Sequence, residues 1–255
     1  MAFYDLPKEE RTALALRIHR EILSGIRSGN TTSLLLYFSD EDTYIRKNAY
    51  LAIGKIYISN PESEKELLAV LRKLSIHGDE KVRQTAVNAG GEIGKYCFDI
   101  IEPLMEAGLF DEHHSVRNAV IGSIKKMGEK NPKPVLAFAK RFLHHEDKEI
   151  RREICHGIEL RGRTHPEDIL PLLKELQDDK TERVRSTLIH VLGQIAYKKG
   201  CLETVVKELR TWKNRELVKD ALEEIIDVHD RYRDFAVKTQ EEAIRYIEKN
   251  SSADF

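Results

Sequence analysis

The chain has 255 residues, 42 of them Lys or Arg and 43 Asp or Glu, for a formal net charge of −1. Charged residues make up 33 % and aromatics only 7 %, which suits a helical surface laced with ion pairs, while seven prolines and no long polar tract argue against disorder. The longest apolar run, around 34–38, falls far short of the roughly 20 residues that span a bilayer, so no membrane partner is expected.

Residues 7–28 open with Pro7 and acids. Leu14, Leu16, Ile18, Ile22, Leu23 and Ile26 then recur at the spacing of one amphipathic helix. We assign 7–30 to an N-terminal capping helix closed by Gly29 and Asn30. A short apolar helix over 32–39 follows. Residues 31–228 then carry an apolar–basic pair six times: Ile45-Arg46, Val82-Arg83, Val116-Arg117, Ile150-Arg151, Val184-Arg185 and Val218-Lys219. The first step is 37 residues and the other four are 34. A fixed period of this size marks a solenoid, in which each unit packs only on its neighbours.

Each repeat reads as a first helix (A), a short polar turn and a second helix (B). The later A helices are expected over 63–77, 98–109, 132–144, 166–176 and 202–212. Pro61, Pro132 and Pro166 stand at or just before A-helix starts, where a missing N–H costs nothing. The B helices are expected to begin after Asp42, Asp79, His113, Asp147, Thr181 and Arg215. Asp and Thr are good N-caps, worth about 1 kcal/mol each. With the Val or Ile of each pair as position zero, positions +4, +7, +8 and +11 share one side at about 100° per residue. They read Ala49, Ala52, Ile53, Ile56 in the first repeat, Ala86, Ala89, Gly90, Ile93 in the second, and Leu188, Val191, Leu192, Ile195 in the fifth. This is the expected buried face. Residues 229–250 form the C-terminal cap, with a charged helix over 232–247. The whole is expected to be one all-α domain, a right-handed α-solenoid of about six repeats.

The arginine at +1 (Arg46, Arg83, Arg117, Arg185) is expected to be structural, reaching the acidic turn of a neighbour. Positions +2, +6, +9, +10 and +13 lie opposite the buried face. Over repeats one to five they include Lys47, Lys55, Lys95, Lys125, Lys126, Arg152 and Arg163 against Glu92, Glu129 and Glu159. A basic stripe is the footprint of a phosphate-backbone partner, and a solvated face is the plain alternative. The sixth repeat reverses the sign with Asp220, Glu224 and Asp227. The fourth breaks its own pattern: its +11 position is Arg161, with Arg152, His156, Glu159, Arg163 and His165 nearby. A charge at a core position is costly unless paired, so either this is a functional site or the helix ends early near Leu160.

His156 and His190 share position +6 in successive repeats. Adjacent helices lie roughly 8–10 Å apart while a metal needs ligands near 2 Å. No third ligand is evident in the sequence, so no metal site is expected. His113, His114, His144 and His145 look solvated. No HExxH, paired CxxC, P-loop or Gly-x-Ser-x-Gly occurs, and no cofactor is expected. Cys97, Cys155 and Cys201 lie in different repeats, and MAFYDLPKEER lacks an apolar signal core. A reduced, cytoplasmic protein, acting as a monomer, is the expectation.

The 34-residue period also suits tetratricopeptide arrays, but their Trp/Gly/Tyr pattern is missing; the Asp-x-x-Val-Arg start of helix B resembles HEAT repeats. Residues 151–222 go further. Ile150-Arg151-Arg152 followed by Gly157 and Arg161-Gly162-Arg163, then HPEDILPLLKELQDDKTERVRSTLIHVLGQIAYKKG, then Trp212 and NRELVKDAL, together resemble the HEAT-like DNA alkylation repair proteins. That resemblance implies a concave surface holding duplex DNA by its backbone, and in some members excision of alkylated bases by groove carboxylates and aromatics. Lys125, Lys126, Arg152, His156, Arg161, Arg163 and His190 are the candidate DNA contacts. The chain departs from the pattern in having one Trp, with no Trp beside an Asp. The expected function is therefore DNA-backbone binding without strong base excision. Were the chain an enzyme, it would be a glycosylase for alkylated bases, with Glu159 the candidate carboxylate. The alternative is a protein-interaction scaffold using the same face.

Overall fold

A computed structural model describes residues 2–251. Among them there is no strand, and the chain divides into two compact units, one ending at Asn131 and one beginning at Pro132.

The first unit contains α1 (Lys8–Ser28), α2 (Thr32–Phe38), α3 (Thr43–Ser59), α4 (Glu64–Leu74), α5 (Glu80–Gly94), α6 (Glu102–Leu109) and α7 (His114–Lys130). Helices α1, α3, α5 and α7 pack side by side in one layer, and α2, α4 and α6 pack against them. The N-terminal helix thus takes the place of a B helix. It buries Ile18, Ile22 and Ile26 at 1 % exposure or less, each contributing about 1.5–3 kcal/mol. It ends at Gly29, whose φ of 71° is the left-handed conformation that closes a helix without a Cβ penalty.

The second unit contains α8 (Pro132–Phe142), α9 (Lys148–Gly157), α10 (Glu159–Gly162), α11 (Pro166–Lys174), α12 (Glu182–Ala196), α13 (Cys201–Leu209), α14 (Arg215–Arg231) and α15 (Gln240–Ser251). Its B-type layer runs α9, α12, α14, α15; α8 packs on α9, and α13 packs on α11, α12 and α15.

The expected register holds. Ala49, Ala52, Ile53, Ile56, Ala86, Ala89, Ile93, Leu188, Val191, Leu192 and Ile195 are all buried. Asp42, Asp79 and Asp147 cap α3, α5 and α9 through the amides of Tyr44, Lys81 and Glu149 at 2.7–2.8 Å. Two caps differ from expectation. Thr181 makes no cap bond, because its hydroxyl accepts from Arg151 instead. The sixth B helix is capped by Asn214, one residue earlier than expected.

Two helix boundaries differ more. The closing helix starts at Gln240 rather than near 232. The Tyr197 and Tyr232 rings stack at 5.4 Å, and the Val237 amide donates to the Tyr197 carbonyl, which turns the chain away from α14 before it can resume a helix. In the fourth repeat the B helix stops at Gly157 and restarts as the single turn α10. Arg161 therefore lies on that turn and not at the core position of an unbroken helix.

Candidate nucleic-acid interface

The +1 arginines build the turns. Arg83 donates to both carboxylate oxygens of Asp111 at 2.7 and 3.0 Å, and to the carbonyls of His77 and Gly78 at the end of its own turn. Arg151 repeats this one unit along, with Asp179 at 2.6 and 3.1 Å and the carbonyls of His145 and Glu146. Arg46, Arg117 and Arg185 each donate to carbonyls of the preceding turn. Burial pushes the Asp111 and Asp179 carboxyls up, but the Arg hydrogen bonds and the turn amides of His113 and Thr181 outweigh it, and both end below the ordinary Asp value. These arginines are committed to the scaffold.

The basic stripe divides between the two units, with different outcomes. In the first unit, Lys47 and Lys55 on α3 are exposed, and Lys95 just past α5 and Lys125 and Lys126 on α7 are half-buried. Contacts tie these helices' outer faces together: Lys126 Nζ sits 5.2 Å from the Tyr50 ring centroid and 3.7 Å from Glu92 Oε1, while Lys95 Nζ donates to Glu92 Oε2 at 2.5 Å. Glu92 is 8 % exposed, so one shielded carboxylate serves two lysines. Gln84, Asn88 and Asn118 occupy the same outer positions. Tyr44, Lys47, Tyr50, Gln84 and Asn88 line an open groove of about 280 Å³ between α3 and α5.

In the second unit the nominated arginines are paired. Arg152 holds Glu149 at 2.9 Å and lies 3.6 Å from Glu153. Arg161 reaches Asp168 Oδ2 through Nε and Nη2 at 2.7 and 2.6 Å. Arg163 donates to Glu159 at 2.5 Å and to Gln194 at 3.0 Å. Glu159 is 1 % exposed, with its other oxygen 3.1 Å from His156 Nε2. His156 and His190 do converge, with ring centroids 6.0 Å apart. His156 and Glu159 stand three residues apart, the spacing that makes neighbours on a helix face, and they keep that contact across the break at Gly157 and Ile158. Glu224, 3.7 Å from His190 Nδ1, was not among the sequence candidates. It stands at +6 of the sixth repeat, the register that singled out His156 and His190, and that signal was sufficient to find it. Tyr50 had no such signal, since +5 faces neither the core nor the stripe. Trp212 is 1 % exposed and belongs to the core.

The family described as HEAT repeats matches residues 135–233. Among solved structures, AlkD2 from Streptococcus mutans is 19 % identical and superposes with a TM-score of 0.53 over 80 % of this chain and 97 % of its own. The fold is an α-solenoid. A Kap95p structure with RanGDP is 15 % identical, with a TM-score of 0.51 over 92 % of this chain and 35 % of its own, so the chain spans about a third of that protein. At these identities the likeness extends to the fold alone. No curated protein matches the sequence. No helix among the described residues is long and apolar enough to cross a membrane.

Proposed function

We propose that this HEAT-like α-solenoid binds the backbone of duplex DNA on the outer faces of α3, α5 and α7. The observation that carries the reading is the charge of that face: Lys47, Lys55, Lys95, Lys125 and Lys126 stand against Glu92, which is shielded, and Glu129. Lysines with interspersed Asn and Gln side chains are the groups that contact phosphate and sugar. The resemblance of residues 151–222 to DNA alkylation repair proteins points to the same ligand. The arginines of the second unit support it less, since their charge is already matched by Glu149, Glu159 and Asp168.

The test is titration of a short duplex with the wild type and with Lys47→Ala/Lys125→Ala at two salt concentrations. Wild-type affinity should fall steeply with salt and be nearly independent of base sequence. The double variant should bind at least tenfold more weakly at low salt, with a log–log salt slope shallower by about 2, or about 0.9 for each phosphate no longer neutralised. Arg161→Ala should bind DNA like the wild type, because Arg161 is committed to Asp168. Absence of wild-type binding at low salt would end the DNA reading and leave the protein-scaffold alternative.

Base excision is not part of this reading. Both Glu159 oxygens are engaged, and the residue is only 1 % exposed. Incubation with duplex DNA carrying methylated purines should therefore release no detectable free base. Release that disappears in Glu159→Gln would restore Glu159 as the group stabilising charge on the sugar.

A further inference from the structure

We propose that His156, Glu159 and His190 bind one divalent transition-metal ion of the zinc class. The inference is independent of the DNA reading and uses other residues. In the second unit, α9, α12 and α14 pack side by side, so their +6 positions form a ladder: His156, His190, Glu224. Glu159, three residues after His156, stands beside it on the first rung. One donor atom from each of His156, Glu159 and His190 lies within 4.8 Å of the other two. An ion about 2.0–2.2 Å from each ligand would space tetrahedral donors roughly 3.3–3.5 Å apart. His156 Nε2 and Glu159 Oε2, at 3.1 Å, nearly meet that spacing already. The imidazoles are 33 % and 42 % exposed, so small rotations close the remainder and the ion has a route in.

The groups behind these three are those a metal site needs. Ligand carboxylates and imidazoles are held by outer hydrogen-bond partners that fix their orientation. Glu159, with a side chain 2 % exposed, gives Oε1 to Arg163, which Gln194 also holds, and so turns Oε2 toward the histidines. Glu224 stands at His190 Nδ1 and is itself gripped by Arg231, with both oxygens at 3.1 Å. With its N–H on Nδ1 toward that carboxylate, His190 would present Nε2 to the ion. Gly193 makes this approach possible: a Cβ there would lie 2.7 Å from Glu224 Cγ.

The plain alternative is an ion pair between His156 and Glu159. That pair, with His190 beside Glu224, accounts for each ring singly but not for both imidazoles offering donors within 4.8 Å of one carboxylate. Two imidazoles and one carboxylate favour Zn²⁺ and its neighbours over Mg²⁺ or Ca²⁺. Three protein ligands leave at least one position for water or another ligand, as in sites that act on substrates. Arg152, Arg163 and Arg231 bring positive charge close by. Glu149, Glu153, Glu159 and Glu224 offset it.

The test is calorimetric titration of the full chain with Zn²⁺ after chelator treatment. The wild type should bind one equivalent saturably, with a rise in Tm that EDTA reverses and no comparable effect of Mg²⁺. His190→Ala and His156→Ala should each weaken binding at least tenfold. Glu224→Gln should weaken it about tenfold or more, as expected for loss of an outer partner. Circular dichroism establishes that each variant keeps its helices. If one does not, the wild-type stoichiometry and the remaining variants decide. No saturable wild-type binding would overturn the site, as would wild-type affinity in both histidine variants.

Discussion

Asp179→Ala should lower stability by about 3 kcal/mol, within the range for removing one partner of a buried ion pair. The Asp179 side chain is 7 % exposed and that of Arg151 14 %, so little solvent remains to replace what is lost. The carboxylate accepts two bonds from Arg151 and a third from the Thr181 amide that opens the next B helix. Without it the guanidinium keeps its two turn carbonyls and the Thr181 hydroxyl but loses its counter-charge. For a chain of this size the change corresponds to a fall in Tm of roughly 6–12 °C. Asp179→Asn should cost less, since an amide oxygen still accepts from Thr181 and from one arm of Arg151. The effect also has a pH signature. The Asp179 carboxyl lies below its ordinary value of 3.8 when folded. A depressed carboxyl contributes its full stability above the unfolded value and loses it as pH falls toward the folded one. The gap between wild type and Asp179→Ala should therefore be constant at neutral pH and shrink below about pH 4. Equal melting of the two proteins at pH 7 would remove the pair from the scaffold.

The repeat architecture was legible because it rests on local, periodic signals. The 34-residue step fixes where the next turn falls, so an Arg at +1 is expected to meet a neighbour's acidic turn; Asp79 and Asp147 were the expected partners, and the structure gives Asp111 to Arg83 and Asp179 to Arg151. What was not legible depends on how side chains meet across helices. Arg161 and Asp168 are seven residues apart on separate helices, and a count of charges per face cannot see that they neutralise each other. The break after Gly157 was legible only as an early end near Leu160, three residues late. Ile158 continues the apolar pattern, so periodicity extends the helix through a point where the backbone leaves it. What periodicity could not show is that His190 stands within 4.8 Å of the His156–Glu159 pair, which turns two histidines without an evident third ligand into a cluster of three. The start of α15 escaped for a similar reason, since Tyr232 is pinned by Tyr197, a residue 35 positions away. The stripe read over repeats one to five keeps its excess of lysines on α3, α5 and α7, whereas acids outside the counted positions, such as Glu149 and Asp168, balance arginines of the second unit.

Ala86→Asp should be the most damaging single change. Ala86 is fully buried on α5, the helix that packs against α2, α3, α4, α6 and α7. It stands at +4, where a methyl group lets neighbouring helices approach. A carboxylate there meets two penalties. It must lose its hydration without a positive partner, and it adds volume at a close-packed crossing. Such a carboxyl escapes part of the electrostatic cost by taking up a proton, but then still needs a hydrogen-bond partner. Together these effects should destabilise the protein by about 4 kcal/mol or more, the range reserved for burying an unpaired charge in a core. Urea unfolding followed by circular dichroism should show the transition midpoint shifted far toward zero or the variant unfolded in buffer. Asn88→Asp is the control. It lies two residues on, half-buried at the rim of the groove between α3 and α5 with Lys47 on the same rim, and should change stability by about 0.5 kcal/mol at most. A large loss in the first variant and almost none in the second would follow from the assigned register. Comparable stability in both would mean that +4 does not face the crossing, and that the buried face of the B helices has been drawn on the wrong side.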